Sequence, residues 1–273
     1  MKKYYVFIAL AMVAGMTVSC KNNAKKAAEA TEEVADVVEI ALSDEVMASI
    51  DGLAQKVTDE NGIINVATII SENLTEEEKL VKPDYLLEAE DVQNLVNRSQ
   101  RIGALAILFI ERPIRQAYEM PIEATDEAIV SLIVGLNHPI SFEDRDLTPA
   151  EKVKKTYEAC KERGDVQYFW EFTMAIENEL VYLIANNADK FYGAISDDQM
   201  KNTHARYMAV VEAIKELAEY DEGIAAALQN WEANIPVEKE EDLAAAFSTV
   251  ESAKQIIVNG KDKVIARRNN MLK

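Results

Sequence analysis

Apolar residues recur every three or four positions over most of the chain from about residue 43 to the C-terminus. This spacing places them on one face of a helix. No stretch of useful length alternates apolar and polar residues as a half-buried strand would. No internal repeat of fixed period occurs either. The pattern therefore predicts an all-α fold, an irregular bundle of roughly eight helices.

Helix starts are predicted where a short polar side chain can accept hydrogen bonds from the first turn. The first start is Ser43, followed by an apolar stripe of Val46, Ile50, Leu53 and Val57. The other marked starts are Thr75 with Glu78, Thr148-Pro149-Ala150-Glu151, Asp165, and Ser196 with Gln199.

The most apolar helix is predicted from about Asp91 to Glu111, because only Gly and apolar residues occur between Ile102 and Ile110. Gly103 on its buried side would allow a neighbour to approach closely. Pro113 is expected to end the helix. The other residues on its buried side would be Val92, Leu95, Val96, Ile102, Ala106 and Ile110.

The N-terminus has the layout of a secretory signal peptide: Lys2 and Lys3, an apolar stretch over residues 6–14, and small residues before Cys20. The apolar stretch is shorter than the ~20 residues that span a bilayer as a helix. We therefore predict a signal peptide over residues 1–19, a lipidated cysteine and tether over 20–41, and a single all-helical domain over 42–273. The alternative is ordinary signal cleavage that leaves a plain thiol at Cys20.

The segment Thr17-Val18-Ser19-Cys20 resembles the lipobox of bacterial lipoproteins, in which the cysteine thiol is acylated after cleavage. Thr17 departs from that pattern, which more often has Leu there. The stretches Asp84–Ile110 and Tyr168–Asn187 are similar to a family of all-helical lipoproteins from gut-dwelling Gram-negative anaerobes. The resemblance implies an all-α fold and a lipid anchor in the cell envelope, at the outer membrane. It brings no catalytic residues with it.

The chain is strongly acidic, with 48 Asp and Glu against 29 Lys and Arg and a net charge of −19. Removal of Lys2 and Lys3 with the signal would change the net charge to −21. Such a surface repels nucleic acid and anionic headgroups, which argues against nucleic acid as a partner. If Cys20 is acylated, Cys160 remains as a single thiol and no disulfide within the chain is expected.

The sequence lacks the motifs of the common catalytic and metal sites. Gly135 and Lys201 stand three residues before His138 and His204, so the Glu-x-x-His pairs of di-iron bundles are absent. Cysteine and histidine are too few for a structural zinc site. No phosphate loop or nucleophile elbow occurs. We therefore predict no metal, no cofactor and no catalytic residues.

The two histidines have different surroundings in the sequence. His204 falls at helical spacing among Met200, Tyr207 and Val211. It is either a proton carrier or haem ligand, or a partly buried histidine with a single hydrogen bond. His138 precedes Pro139 in a loop and is expected to be exposed.

Arginines are concentrated between residues 98 and 115, with Glu111 as the single acid nearby. The planar guanidinium group of an arginine can bind a carboxylate or a phosphate through two parallel hydrogen bonds. They could contact an anion or a partner, or they could form salt bridges to the acidic helices of the same chain. The four residues are Arg98, Arg101, Arg112 and Arg115.

A second candidate is a possible pocket at Trp170, Thr173 and Glu177. Thr173 and Glu177 share a helix face with apolar residues, where an unpaired carboxylate would be costly. Glu177 could line a ligand pocket beside Thr173. Alternatively, Glu177 could pair with an arginine of a facing helix, and Thr173 could bond to its own helix backbone.

The C-terminal segment is basic, with Asp262 as its single acid from residue 261 onwards. The segment could dock on an acidic surface, including that of its own protein, or form a solvated tail. Its cations are Lys261, Lys263, Arg267, Arg268 and Lys273.

Three functional hypotheses remain. The first is a membrane-tethered protein that binds a small molecule, peptide, glycan or envelope protein in a groove between helices. The second is a structural or assembly lipoprotein of the envelope, which predicts a sizeable exposed apolar patch. An enzyme would require convergent polar groups in a cleft, and the sequence offers no pattern for them.

Overall fold

The computed structural model describes residues 42–59, 63–139 and 147–273, and these residues form thirteen α-helices and no strand. The predicted all-α fold is confirmed. The helices are α1 (Asp44–Val57), α2 (Val66–Glu72), α3 (Glu76–Lys79), α4 (Arg98–Ala117), α5 (Glu123–Leu136), α6 (Pro149–Glu162), α7 (Val166–Asn186), α8 (Ala188–Tyr192), α9 (Asp197–Leu217), α10 (Glu222–Ala233), α11 (Leu243–Ala246), α12 (Val250–Asn259) and α13 (Lys261–Asn270). Nine of them have at least ten residues, close to the number expected from the sequence.

The predicted caps are confirmed, because each depends on residues within one turn of each other. Ser43 Oγ accepts the backbone N–H of Val46 at 3.3 Å, and Asp165 accepts that of Tyr168 at 3.4 Å. Reciprocal capping boxes open three further helices, at Thr75 with Glu78, Thr148 with Glu151, and Ser196 with Gln199.

Helix α4 begins later than predicted. Asn97 forms a capping box with Gln100, so the helix starts at Arg98. Residues Ala89–Val92 form a separate 3-10 turn. Val96, expected on the buried side, is 88% exposed as a result. The local cap therefore decides where the helix begins, and the apolar pattern before it continues outside the helix.

Pro113 does not end α4, contrary to the prediction. The proline itself is exposed, and the helix continues to Ala117. Beyond it, Ile114 is fully buried and the Arg115 guanidinium donates to the carbonyl of Leu87. A proline inside a helix costs about 3 kcal/mol, and we attribute the persistence of the last turn to these tertiary contacts.

Helix α7 occupies the centre of the bundle and packs against α4, α6, α9, α10 and α13. It is buried on almost every side, which explains its continuous apolar and aromatic sequence. Gly103 of α4 has the predicted close neighbour: a Cβ at this position would lie 2.9 Å from the carbonyl oxygen of Met271. The C-terminal segment thereby packs closely against α4, and α13 packs against α7. No helix in the described ranges has the length and apolar character needed to cross a bilayer.

Candidate functional site

A cavity of about 580 Å³ follows one face of α7. Wall residues run along this helix from Phe169 to Ile184, a length of about 22 Å at 1.5 Å per residue. Helices α4 and α9 also contribute to the wall, as do residues 63–67 and the segments around Leu243 and Ile257. The volume lies within the range of small-molecule sites, and most of the wall is apolar. On α7 the apolar wall residues are Phe169, Phe172, Ile176, Leu180, Val181 and Ile184.

Thr173 and Glu177 belong to this wall, whereas Trp170 does not. Trp170 is fully buried and its ring packs edge-on against Tyr157 and Phe169. Thr173 Oγ1 donates to the carbonyl of Phe169 at 2.7 Å. Two of the three predicted pocket residues therefore face a real cavity, and the third stabilises the core beside it.

Glu177 forms a buried ion pair with Arg206 of α9. The structure therefore has the alternative arrangement, in which Glu177 pairs with an arginine of a facing helix. Arg206 also donates its Nε–H to the carbonyl of Val57 at 3.0 Å, at the end of α1. The pair contributes no net charge to the cavity, and it connects α1, α7 and α9.

A second polar group in the wall consists of Tyr207, Trp231 and Arg267. Arg267 Nη1 donates to the Tyr207 hydroxyl oxygen at 2.9 Å, and Trp231 Nε1 donates to the same oxygen at 2.5 Å. Burial raises the pKa of Tyr207, so the phenol keeps its proton. Sequence analysis missed this group, although Tyr207 lies one turn after His204 on the same helix face.

No protein family, no curated protein and no solved structure matches the chain significantly. No three His, Cys, Asp or Glu side chains in the described part of the chain form a group that could hold a metal ion.

Burial lowers the pKa of both histidines in the cavity wall. His138, expected to be exposed, is buried instead, and its Nδ1 pairs with the Tyr168 hydroxyl. Burial, and then the charge of Arg163, lowers its pKa to about 3. His204 stacks on Phe247 at 4.9 Å, and burial lowers its pKa as well. Both rings are therefore neutral near pH 7 and add no charge to the cavity.

The arginines of α4 do not converge on one site. Arg98 and Arg115 are about 25 Å apart along the helix. Arg98 pairs with Asp165 at 3.1 Å and with Glu171 at 3.5 Å. Arg98 also lies over the ring of Tyr168.

The other three arginines also interact within the protein. Arg112 binds both carboxylate oxygens of Asp126, at 2.5 and 2.9 Å. Arg115 contacts Glu111 at 3.5 Å, and Arg101 lies directly over Gly135. Arg98, Arg112 and Arg115 thus form salt bridges within the chain, which was the alternative to an anion or partner contact. A contact of any of the four with an outside anion stays a prediction.

The basic C-terminal segment is not a solvated tail. Arg267 and Arg268 are both buried in α13. Arg268 pairs with Glu111 and Glu179, while Arg267 reaches the cavity. The sequence allowed docking on the protein's own acidic surface or a solvated tail, and the structure instead buries Arg267 and Arg268 inside the domain.

Cys160 is buried and free. Burial raises the pKa of its thiol to about 11, so the thiol is protonated near neutral pH. Cys20 lies outside the described residues, and its lipidation stays a prediction.

Proposed function

We propose that the chain is a membrane-tethered lipoprotein of the cell envelope whose helical domain binds an apolar small molecule in the cavity along α7. The observation that carries the binding role is the cavity itself: it is about 580 Å³ in volume and mostly apolar, and its polar wall residues include the Glu177–Arg206 pair and the Tyr207 group. Burial of apolar ligand surface in such a site is favourable by about 25 cal/mol per Å². The tether and the lipid on Cys20 rest on the N-terminal sequence, and the outer-membrane location rests on the resemblance to the helical lipoproteins.

Filling the cavity is expected to abolish most of the binding. Val181 lies in the wall and is half-buried, so Val181→Trp would place an indole in the space that the ligand needs. We expect at least about tenfold weaker binding of the uncharged fluorophore N-phenylnaphthylamine, measured by fluorescence titration.

The matched control is Val134→Trp, the same substitution at an exposed position of α5 outside the cavity wall. This variant is expected to bind the fluorophore like the wild type. Equal affinity of both variants and the wild type would mean that the probe binds elsewhere, and the proposed cavity function would be wrong.

The anchor has its own test. Cys20→Ser removes the thiol that would be acylated, so the variant is expected in the soluble fraction, whereas the wild type remains with the membranes. Intact-mass analysis of the wild type should show acyl chains on Cys20 and no residues before it. A wild-type product with a free Cys20 thiol would contradict the anchor and leave the cavity untouched.

A structural or assembly lipoprotein is the second candidate function. Its support is the exposure of three large apolar side chains between α3 and α4: Leu80, Val81 and Val96. Apolar residues that form a contiguous patch mark contact surfaces. Mass spectrometry of the natively purified lipoprotein separates the two roles, because a ligand protein should bring a small molecule and an assembly protein should bring other chains.

A further inference from the structure

Arg267 is the one deeply buried arginine of the described residues that has no carboxylate partner. Its exposed fraction is 2%. The other three buried arginines, Arg115, Arg206 and Arg268, each contact a buried glutamate. A buried charge without a counter-charge is costly. The chain has 48 acidic residues, yet none of the described ones forms a salt bridge with Arg267. The missing counter-charge is the first sign that a ligand supplies it.

The guanidinium of Arg267 is also incompletely hydrogen-bonded. Nη1 donates to the Tyr207 hydroxyl at 2.9 Å, whereas Nε has no acceptor within the described structure. An arginine offers five N–H donors in a fixed fork that matches the two oxygens of a carboxylate. Unused donor capacity remains on this side chain.

Tyr207 supplies the second sign. Its oxygen already accepts two hydrogen bonds, from Arg267 and from Trp231 at 2.5 Å. Because both neighbours donate to this oxygen, the hydroxyl hydrogen points away from them and can be donated to another acceptor. No side chain or carbonyl of the described residues accepts it at hydrogen-bond distance, and Tyr207 lies in the cavity wall. An O–H donor and a cation are therefore next to each other at one place in a mostly apolar cavity.

The charge balance of this part of the cavity favours a single negative charge. Glu177 and Arg206 neutralise each other, and Arg112 is paired with Asp126. His204 is uncharged near pH 7 because of its burial. Lys152 of α6 is the other cation of the wall, and Arg267 is the one that lies beside a neutral hydroxyl. This arrangement suits a monoanion better than a doubly charged phosphate.

We propose that the cavity binds a long-chain carboxylic acid or a similar amphipathic carboxylate. Its carboxylate accepts hydrogen bonds from Arg267 and from the Tyr207 hydroxyl, and its hydrocarbon chain lies along the apolar face of α7. This inference rests on the proposed binding function and names the class of ligand. Charge-assisted hydrogen bonds then fix the head, and the apolar wall holds the chain without selecting its length closely.

The test compares three probes of equal chain length on the purified full chain by calorimetric titration at pH 7.5: decanoate, decanol and decyltrimethylammonium. Wild-type protein is expected to bind decanoate about ten- to a hundredfold more tightly than decanol, and the ammonium probe most weakly. Arg267→Gln should reduce decanoate affinity to that of decanol and leave decanol affinity unchanged. Tyr207→Phe, which keeps the ring, should weaken decanoate about tenfold.

Arg163→Gln serves as the control, since Arg163 is exposed and lies outside the cavity wall. If Arg267→Gln fails to fold, as judged by circular dichroism, Tyr207→Phe alone decides the matter. If the wild type binds neither decanoate nor decanol, the cavity function itself is wrong. If decanol or the ammonium probe binds as well as decanoate, or if neither cavity variant changes the preference, the cavity function stands and the carboxylate proposal is overturned.

Discussion

Replacing Arg206 with Met is expected to lower the free energy of unfolding by about 3–5 kcal/mol. The substitution leaves Glu177 charged and buried without its counter-charge. It also removes the N–H that binds the Val57 carbonyl at the end of α1. Urea unfolding should show the loss as a lower midpoint at an unchanged slope.

The double variant Glu177→Met with Arg206→Met identifies the cause. When both partners become apolar, no uncompensated charge remains, and most of the lost stability should return. Lys56→Met is the matched control, because Lys56 lies 3.8 Å from Glu212 and both side chains are exposed. Its loss should cost less than about 1 kcal/mol. A double variant as unstable as Arg206→Met would show that the uncompensated charge is not the reason.

The features that sequence alone predicted well are local. A cap such as Thr148 with Glu151 is complete within one turn, so its residues determine the helix start without help from the rest of the fold. The faces of α7 were also predictable, because the period of 3.6 residues places Thr173 and Glu177 among apolar residues. Both residues indeed lie in the cavity wall.

The features that sequence alone did not predict depend on distant contacts. Pro113 is compatible with α4, and we attribute this to Ile114 and Arg115, which pack on residues far away in the chain. His138 is buried because the rings of Phe109, Tyr168 and Phe172 surround it. Both effects come from tertiary packing, which overrides local preference.

The structure of the basic C-terminus also depends on contacts with distant residues. A run of Lys and Arg usually marks a solvated segment. Here neighbouring residues of α13 have separate roles: Arg267 reaches the cavity, and Arg268 binds two buried glutamates. The sequence contains no signal for this division, because it depends on which carboxylates of α4 and α7 lie opposite. One short helix thus connects the proposed ligand site to the most deeply buried charges of the domain.

These buried charges are Glu111 and Glu179, which are both fully buried and share the guanidinium of Arg268 at 3.2 and 3.3 Å. Burial raises the pKa of Glu111 to about 7. Burial, and then the neighbouring charge of Glu111, raises the pKa of Glu179 well above its usual value. Near neutral pH the two carboxyl groups together therefore hold more protons than they would in the unfolded chain, and their remaining negative charge faces Arg268.

The retained protons make stability depend on pH. Above the unfolded pKa of 4.5, the folded protein binds more protons than the unfolded chain, so the free energy of unfolding falls as pH rises. The contribution of these carboxyls is fully present below pH 4.5 and is lost as pH rises through the folded pKa. His138 acts in the opposite direction between about pH 3 and 6.5, because burial lowers its pKa. The prediction therefore concerns the difference between variants, in which the histidine contribution cancels.

Glu179→Gln removes one of the two titrating carboxyl groups and, with it, the like charge beside Glu111. Relative to the wild type, this variant should become more stable as pH rises from 5 to 8, by up to about 1.4 kcal/mol per pH unit. Glu232→Gln removes the same charge at an exposed position of α10, and its difference from the wild type should stay flat. Urea unfolding at several pH values measures both. Parallel pH profiles of Glu179→Gln and the wild type would show that the buried carboxyls are ionised throughout, held so by Arg268 despite their burial.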